Sequence, residues 1–314
     1  MKTAFLFPGQ GAQYPGMGKS LCEKYDIARE IAEKSDEKLG FSLTDRLFNG
    51  TEDEIKKTEI TQPGILMVSN MVSEILKAEG IEPDAAAGLS LGEYSALVEA
   101  GSLDYYEALE LVSRRGKLME EAVPSGKGAM CAIIGMDTEK IEETVNELSD
   151  SGIIKIANYN CPGQIVVSGE TGTVEKAAEV LKEKGAKRCI MLSVSGPFHT
   201  EMMEGAGEKL GKLLEETEIK EPEIDIYLNV TGEKYGGEDI RENLVKQISS
   251  SVRFQNIIEN MIEDGVRVFI EAGVGKTLSS FVKKTAKKMK TEVTVLNAED
   301  AESLEKALEK IKEI

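Results

Sequence analysis

The sequence predicts an α/β protein: a mainly parallel, helix-covered sheet, interrupted by a smaller β-α-β-β-α-β unit at residues 126–194. Three observations carry this. Short apolar runs closed by Gly or Pro alternate with amphipathic helical periods along most of the chain. The small apolar run 85–87 leads into Gly88-Leu89-Ser90-Leu91-Gly92 and directly into a helical pattern, which is a sharp strand-to-helix corner. Between 126 and 194 the order of elements changes to the ferredoxin-like one, enough for a small domain of ~70 residues. The flanking segments, 1–125 and 195–314, then form one discontinuous core.

Taken in order, residues 3–7 form a short buried strand, ended by Pro8-Gly9-Gln10-Gly11-Ala12-Gln13. A Gly-rich loop after a first strand can present backbone N–H groups to an anion. It lacks the G-x-G-x-x-G order of a dinucleotide loop. Helices are expected over 17–39 and 51–58. A longer one over 61–80 buries Ile65, Leu66, Val68, Val72, Ile75 and Leu76. After the Ser90 corner comes a helix over 103–123. In the inserted unit, strands at 129–136, 153–158, 164–168 and 187–192 alternate with helices at 138–149 and 172–184. The remainder reads as helix 201–217, strand 224–228, helices 238–250 and 254–264, strand 266–271, helix 277–288, strand 292–296 and helix 300–313.

Composition narrows the function classes. The formal charge is −18, with 56 acidic against 38 basic residues, which argues against a nucleic-acid binder. The opening MKTAFLFPGQ is too short an apolar run for a signal-peptide core, and no stretch approaches the ~20 apolar residues of a membrane span. Cys22, Cys131, Cys161 and Cys189 are scattered without C-x-x-C spacing, as expected of reduced thiols in a cytoplasmic protein rather than a disulfide framework or metal site. Gly273-Val274-Gly275-Lys276-Thr277 ends like a phosphate-binding loop. The required first glycine falls at Ile270, however, so the spacing excludes a nucleotide.

Three residues stand out chemically. Ser90 lies in the G-x-S-x-G corner beside a helix N-terminus, where N–H groups favour developing negative charge, although a plain Gly/Ser turn fits the same pentapeptide. His199, the single histidine, sits in Gly196-Pro197-Phe198-His199 and is the one imidazole available as a base near neutral pH. A structural histidine is the alternative. Arg115 falls in the middle of the apolar face formed by Ala108, Leu111, Val112, Leu118, Met119 and Ala122. A charge there requires an ion-pair partner or an anionic ligand, and a guanidinium fork suits a carboxylate. The lysines at 283–290 are either a solvated helix face or a patch for an acidic partner.

Together, six stretches resemble the malonyl-CoA:acyl-carrier-protein transacylase family: Phe7-Pro8-Gly9-Gln10-Gly11, Gly88-Leu89-Ser90-Leu91-Gly92-Glu93-Tyr94, Arg115-Gly116, 158–163, 196–199 and 271–276. The resemblance spans essentially the whole chain. It implies an α/β-hydrolase-like core and a Ser-His dyad, with Ser90 as nucleophile and His199 as base. It also implies an oxyanion hole from the N–H groups of Gln10 and Leu91, and Arg115 on the malonyl carboxylate. Gln247, unremarkable in the sequence, would orient His199 through its backbone carbonyl. Asn160 and Phe198 would contact substrate, and the Phe198 ring would crowd an α-methyl branch.

The implied reaction is ping-pong malonyl transfer from malonyl-CoA to acyl carrier protein in fatty-acid synthesis, with no cofactor and no metal, by a cytoplasmic monomer. An acidic carrier would dock near Lys187, Arg188, Lys283, Lys284, Lys287 and Lys288. Two residues depart from the pattern: Leu89 replaces a histidine common before the nucleophile, and Val274 replaces a proline. A serine thioester hydrolase and a non-catalytic carrier-binding protein are the rival readings.

Overall fold

The computed structural model describes residues 1–124, 126–194 and 196–313. The expected unit boundaries at Ser125 and Ser195 lie outside the described residues. The larger sheet contains β1 (Lys2–Phe7), β2 (Ala85–Gly88), β7 (Asp225–Ile226), β8 (Val266–Ala272) and β9 (Thr294–Ala298). Their order is β7-β2-β1-β8-β9, and every neighbouring pair is parallel. Such strands must be buried on both faces, which is why KTAFLF and AAAG read as nearly continuous apolar runs. Alternation then divides them. Phe5, Phe7 and Ala86 face a core shared with the helices Thr58–Ala78 and Tyr105–Ala122, whereas Ala4, Leu6, Ala85 and Ala87 face Phe254–Glu263 and Thr277–Met289.

The second sheet comprises β3 (Gly128–Ile134), β4 (Ile154–Cys161), β5 (Gln164–Glu170) and β6 (Arg188–Met191), antiparallel throughout and ordered β4-β5-β3-β6. One face has its own core, in which Cys131, Ile133 and Val167 pack with Ile141, Val145, Val174 and Leu181 of the helices Thr138–Leu148 and Thr171–Glu183. The other face, with Met130, Ala132, Ala157 and Val166, joins the main core and turns toward Ser90. At the junction Tyr159 N donates to Val252 O (2.8 Å), Val252 N to Ala157 O (2.8 Å) and Ser251 Oγ to Ile156 O (2.5 Å).

Several expected elements shift. The helix expected over 17–39 breaks at Tyr25, whose extended backbone (φ −115°, ψ 125°) separates Lys19–Lys24 from Asp26–Leu39. A further helix, Leu43–Asn49, starts at Ser42, which caps Asp45 N while Asp36 takes bonds from Ser42 and Thr44. The helix expected from 61 starts at Thr58 and runs through Pro63, whose missing N–H removes one rung of the ladder. The strand expected over 224–228 shortens to Asp225–Ile226, with Tyr227 in an isolated bridge to Lys234. Among the described residues no helix is long and apolar enough to cross a membrane, and no His/Cys/Asp/Glu group is placed to hold a metal ion. The four cysteines are free thiols.

Candidate active site

The corner at Ser90 depends on glycine for space. A Cβ on Gly88 would lie 1.9 Å from Gly92 C, one on Gly92 2.1 Å from Phe7 O, and one on Gly9 2.4 Å from Leu89 O. These are backbone atoms of the strand, turn and helix that meet at the corner, so no side chain can be accommodated. Ser90 itself has φ 53°, a left-handed conformation costing about 1–3 kcal/mol. Asn229 holds it there: its Oδ1 accepts from Ser90 N (2.7 Å) and its Nδ2 donates to Gly88 O (2.7 Å).

His199 is also left-handed (φ 64°) and nearly fully buried. Its main-chain N donates to Ile248 O (3.1 Å), its Nδ1 lies 2.8 Å from Gln247 O, and its Nε2 lies 2.9 Å from Ser90 Oγ. A carbonyl oxygen can only accept, so the proton sits on Nδ1 and Nε2 is free to accept from the serine hydroxyl. Burial pushes the imidazole pKa down to about 4, helped by the nearby Arg115 charge and opposed by the Gln247 carbonyl. The neutral, basic form is therefore the one present at neutral pH.

Arg115 is completely buried. The close helix crossing that places it relies on Gly116, where a Cβ would stand 2.5 Å from Thr58 O. Its partners are neutral: Nη1 donates to Gln62 Oε1 (2.8 Å), and Nη2 to Gln247 Oε1 (3.0 Å) and Ser90 Oγ (3.3 Å). The Tyr94 ring lies 5.3 Å from the guanidinium carbon, and Nε is buried without an acceptor among the described residues. Burial lowers its pKa, while Tyr94 and Glu93 raise it. No carboxylate pairs with Arg115 among the described residues, which removes the structural ion pair and leaves a buried fork with donor capacity to spare.

These groups meet in a cleft of about 390 Å³ between the two sheets. Gln10, Leu91, Phe198 and Asn160 all line it. The main-chain N–H groups of Gln10 and Leu91 donate to no acceptor among the described residues. Asn160 Oδ1 is buried and unpartnered there. Phe198 is buried directly before the histidine, and half-buried Leu89 also lines the cleft. Val274 is fully buried in the main core. The Glu271 carboxylate accepts from Leu278 N (3.0 Å) and Ser279 N (2.7 Å), so a protein carboxylate occupies the helix N-terminus that a phosphate would need.

Four residues of the site escape a reading of the sequence. Gln62 donates to Gln10 Oε1 (3.3 Å) and so links the Arg115 fork to the Gly9–Gln10 loop. Asn229, Glu93 and Asn243 form the hydrogen-bonded backing of the corner. Glu93 enters the sequence reading only as a member of the stretch 88–94 that carries the family resemblance, with no role of its own.

The basic cluster is divided. Lys284 donates to Gln164 Oε1 (3.3 Å) at the rim of the cleft, and Lys288 pairs with Glu259 (3.3 Å). Lys283 and Lys287 line a separate surface hollow with Arg267. Lys187 packs beside Gly135, and Arg188 opens the edge strand β6.

The acyl transferase domain family model matches residues 4–311. A malonyl CoA-acyl carrier protein transacylase of Bacillus subtilis (strain 168) is 45% identical over 99% of this chain and 98% of its own length. The crystal structure of a malonyl CoA-acyl carrier protein transacylase from Clostridium perfringens superposes with a TM-score of 0.95 at 45% identity, covering 100% of this chain and 98% of that one. A malonyl-transacylase solved in complex with its type II PKS acyl-carrier protein gives 0.94 at 38% identity, covering 99% and 100%.

Proposed function

Because the chain belongs to the malonyl CoA-acyl carrier protein transacylase family, we propose that it moves a malonyl group from malonyl-CoA to the phosphopantetheine thiol of an acyl carrier protein. The observation that carries this reading is the convergence of Ser90 Oγ, His199 Nε2 and Arg115 Nη2 within hydrogen-bond reach in one cleft. A serine and its base suffice for thioester exchange, and the buried guanidinium adds a demand for an acyl group ending in a carboxylate.

The steps follow from the atoms. His199 Nε2 removes the Ser90 hydroxyl proton as Oγ attacks the thioester carbonyl. The carbonyl oxygen gains negative charge, which the N–H groups of Gln10 and Leu91 meet, together with the positive end of the helix Gly92–Glu99. As the C–S bond breaks, the imidazolium returns its proton to the coenzyme A sulfur, and a malonyl ester remains on Ser90. The carrier thiol then gives its proton to His199, its sulfur attacks the ester, and Ser90 Oγ regains a proton as it leaves. Gln247 O holds Nδ1–H through both halves. Arg115 keeps the malonyl carboxylate at a fixed distance from the ester, Asn160 Oδ1 accepts from an amide N–H of the pantetheine arm, and Phe198 limits branching at the α-carbon.

In the finer reading of the fold, a ferredoxin-like unit near 126–194 is set into a hydrolase-like core, so that the cleft between them accepts the pantetheine arm; the order β4-β5-β3-β6 supports this. The carrier docks over the rim marked by Lys284, near Lys187 and Arg188, with Lys283, Lys287 and Lys288 adding positive charge around it. The enzyme works as a cytoplasmic monomer, consistent with its free thiols and with a site built from one chain.

Intact-mass measurement after mixing with malonyl-CoA tests the core of the proposal. Wild type gains one malonyl group and Ser90→Ala gains none. An adduct on both, or on neither, overturns it.

A further inference from the structure

Behind Ser90 lies a carboxylate that the transfer steps leave unused. Glu93, second in the helix Gly92–Glu99, is 1% exposed, yet both of its oxygens are engaged. Oε2 accepts from Gln247 Nε2 (2.5 Å), and Oε1 from Asn243 Nδ2 (2.9 Å) and Asn229 N (3.4 Å). Gln247 is thereby caught between two unlike groups. Its Nε2 faces Glu93 and also Ser90 O (2.9 Å), and its Oε1 faces Arg115 Nη2 (3.0 Å). A primary amide can be turned over with little change in shape, and in the turned state it would aim two N–H donors at a guanidinium that has donors only. The carboxylate, acceptor-only when ionised, opposes that turn.

We propose that Glu93 is a positioning residue for acyl-group selection: it fixes the Gln247 side-chain amide with its oxygen toward Arg115 and so aims the guanidinium at the acyl carboxylate. The inference rests on the malonyl reading of the site. Glu93 touches no reacting atom; its effect passes through one amide. An uncharged acetyl group makes no use of the fork. Loss of Glu93 must therefore weigh more on malonyl than on acetyl transfer, whereas a merely structural role would lower both alike.

The experiment compares acylation rates of Ser90 by malonyl-CoA and by acetyl-CoA, read by intact mass, in wild type, Glu93→Met and Glu93→Gln. The malonyl-to-acetyl ratio is expected to fall on the order of tenfold in Glu93→Met, the scale of one buried hydrogen bond to a charged group. In Glu93→Gln, whose single side-chain oxygen can still receive Gln247 Nε2, part of the ratio returns. A parallel loss of both rates, or an unchanged ratio in a folded variant, overturns the role of Glu93. If Glu93→Met does not fold, the Gln variant decides alone: a severalfold fall in the ratio supports the role and an unchanged one overturns it. A wild type without malonyl preference instead overturns the malonyl reading itself, and this inference with it.

Discussion

His199 Nδ1 lies 2.8 Å from the main-chain oxygen of Gln247, so the base is oriented by a peptide carbonyl and not by a carboxylate. A neutral orienter fixes the tautomer but gives the imidazolium less stabilisation than an anion would. With burial and Arg115 acting in the same direction, the pKa stays depressed near about 4.

The base form of His199 therefore persists into acid. Acylation by acetyl-CoA, which makes no demand on the carboxylate fork, should be flat from about pH 5 to pH 8, where an unperturbed histidine would turn over near ~6.5. An inflection near 6.5 in the single-turnover rate contradicts this.

Arg115→Ala should cut malonyl transfer by orders of magnitude while sparing or raising transfer of uncharged acyl groups, because among the described residues its donors face two amides and the Ser90 hydroxyl and no protein carboxylate. Steady-state kcat/KM with malonyl-CoA and acetyl-CoA decides it. An equal loss with both donors removes the fork role.

Charge reversal at Lys284 and Lys288 should raise KM for the carrier protein several-fold at low salt and leave KM for malonyl-CoA unchanged. Lys284 stands at the cleft rim, whereas Lys283 and Lys287 face another hollow, so reversal of that second pair should matter less. The effect should fade toward ~1 M salt, where screening acts within about 3 Å. No change in KM for the carrier at low salt on reversal of Lys284 and Lys288 would place docking elsewhere.

Glu271 gives a stability signature. Burial raises its carboxyl from 4.5 to about 7, against the pull of the Ser279 and Leu278 bonds. The folded state thus binds its proton more tightly than the unfolded chain. This contribution to stability is full below pH 4.5 and is lost as pH rises through 7. Glu271→Gln lacks the titration. Denaturant melts should show the variant gaining on wild type by up to ~3 kcal/mol between about pH 4.5 and 8. A difference that does not vary with pH refutes it.

Much of this was legible because each signal was local. The G-x-S-x-G corner needs glycine where Gly88 and Gly92 meet backbone. Arg115 betrayed itself by breaking a 3.6-residue apolar period, and His199 by being single. What was not legible is the network of amides. Gln62, Asn229 and Asn243 come from three separate segments, are neutral, and break no period, so nothing in their surroundings along the chain marks them. Gln247 shares that silence, since its main-chain oxygen is a group every residue has. The basic run shows the reverse error: lysines adjacent on a helix faced different surroundings once the helix packed.

The junction at Ser251–Val252 has a consequence for anyone reshaping the enzyme. Two backbone bonds and one from a serine hydroxyl tie β4 to the chain immediately beyond Gln247 and Ile248, the residues that anchor His199. The spacing of the two sheets is thus tied to this junction as well as to the side chains that line the cleft. Trimming Phe198 would relieve the limit on branching at the α-carbon but would leave the spacing of the sheets as it is. To widen that spacing, the fastening must be rebuilt, and the histidine's footing would have to be rebuilt with it.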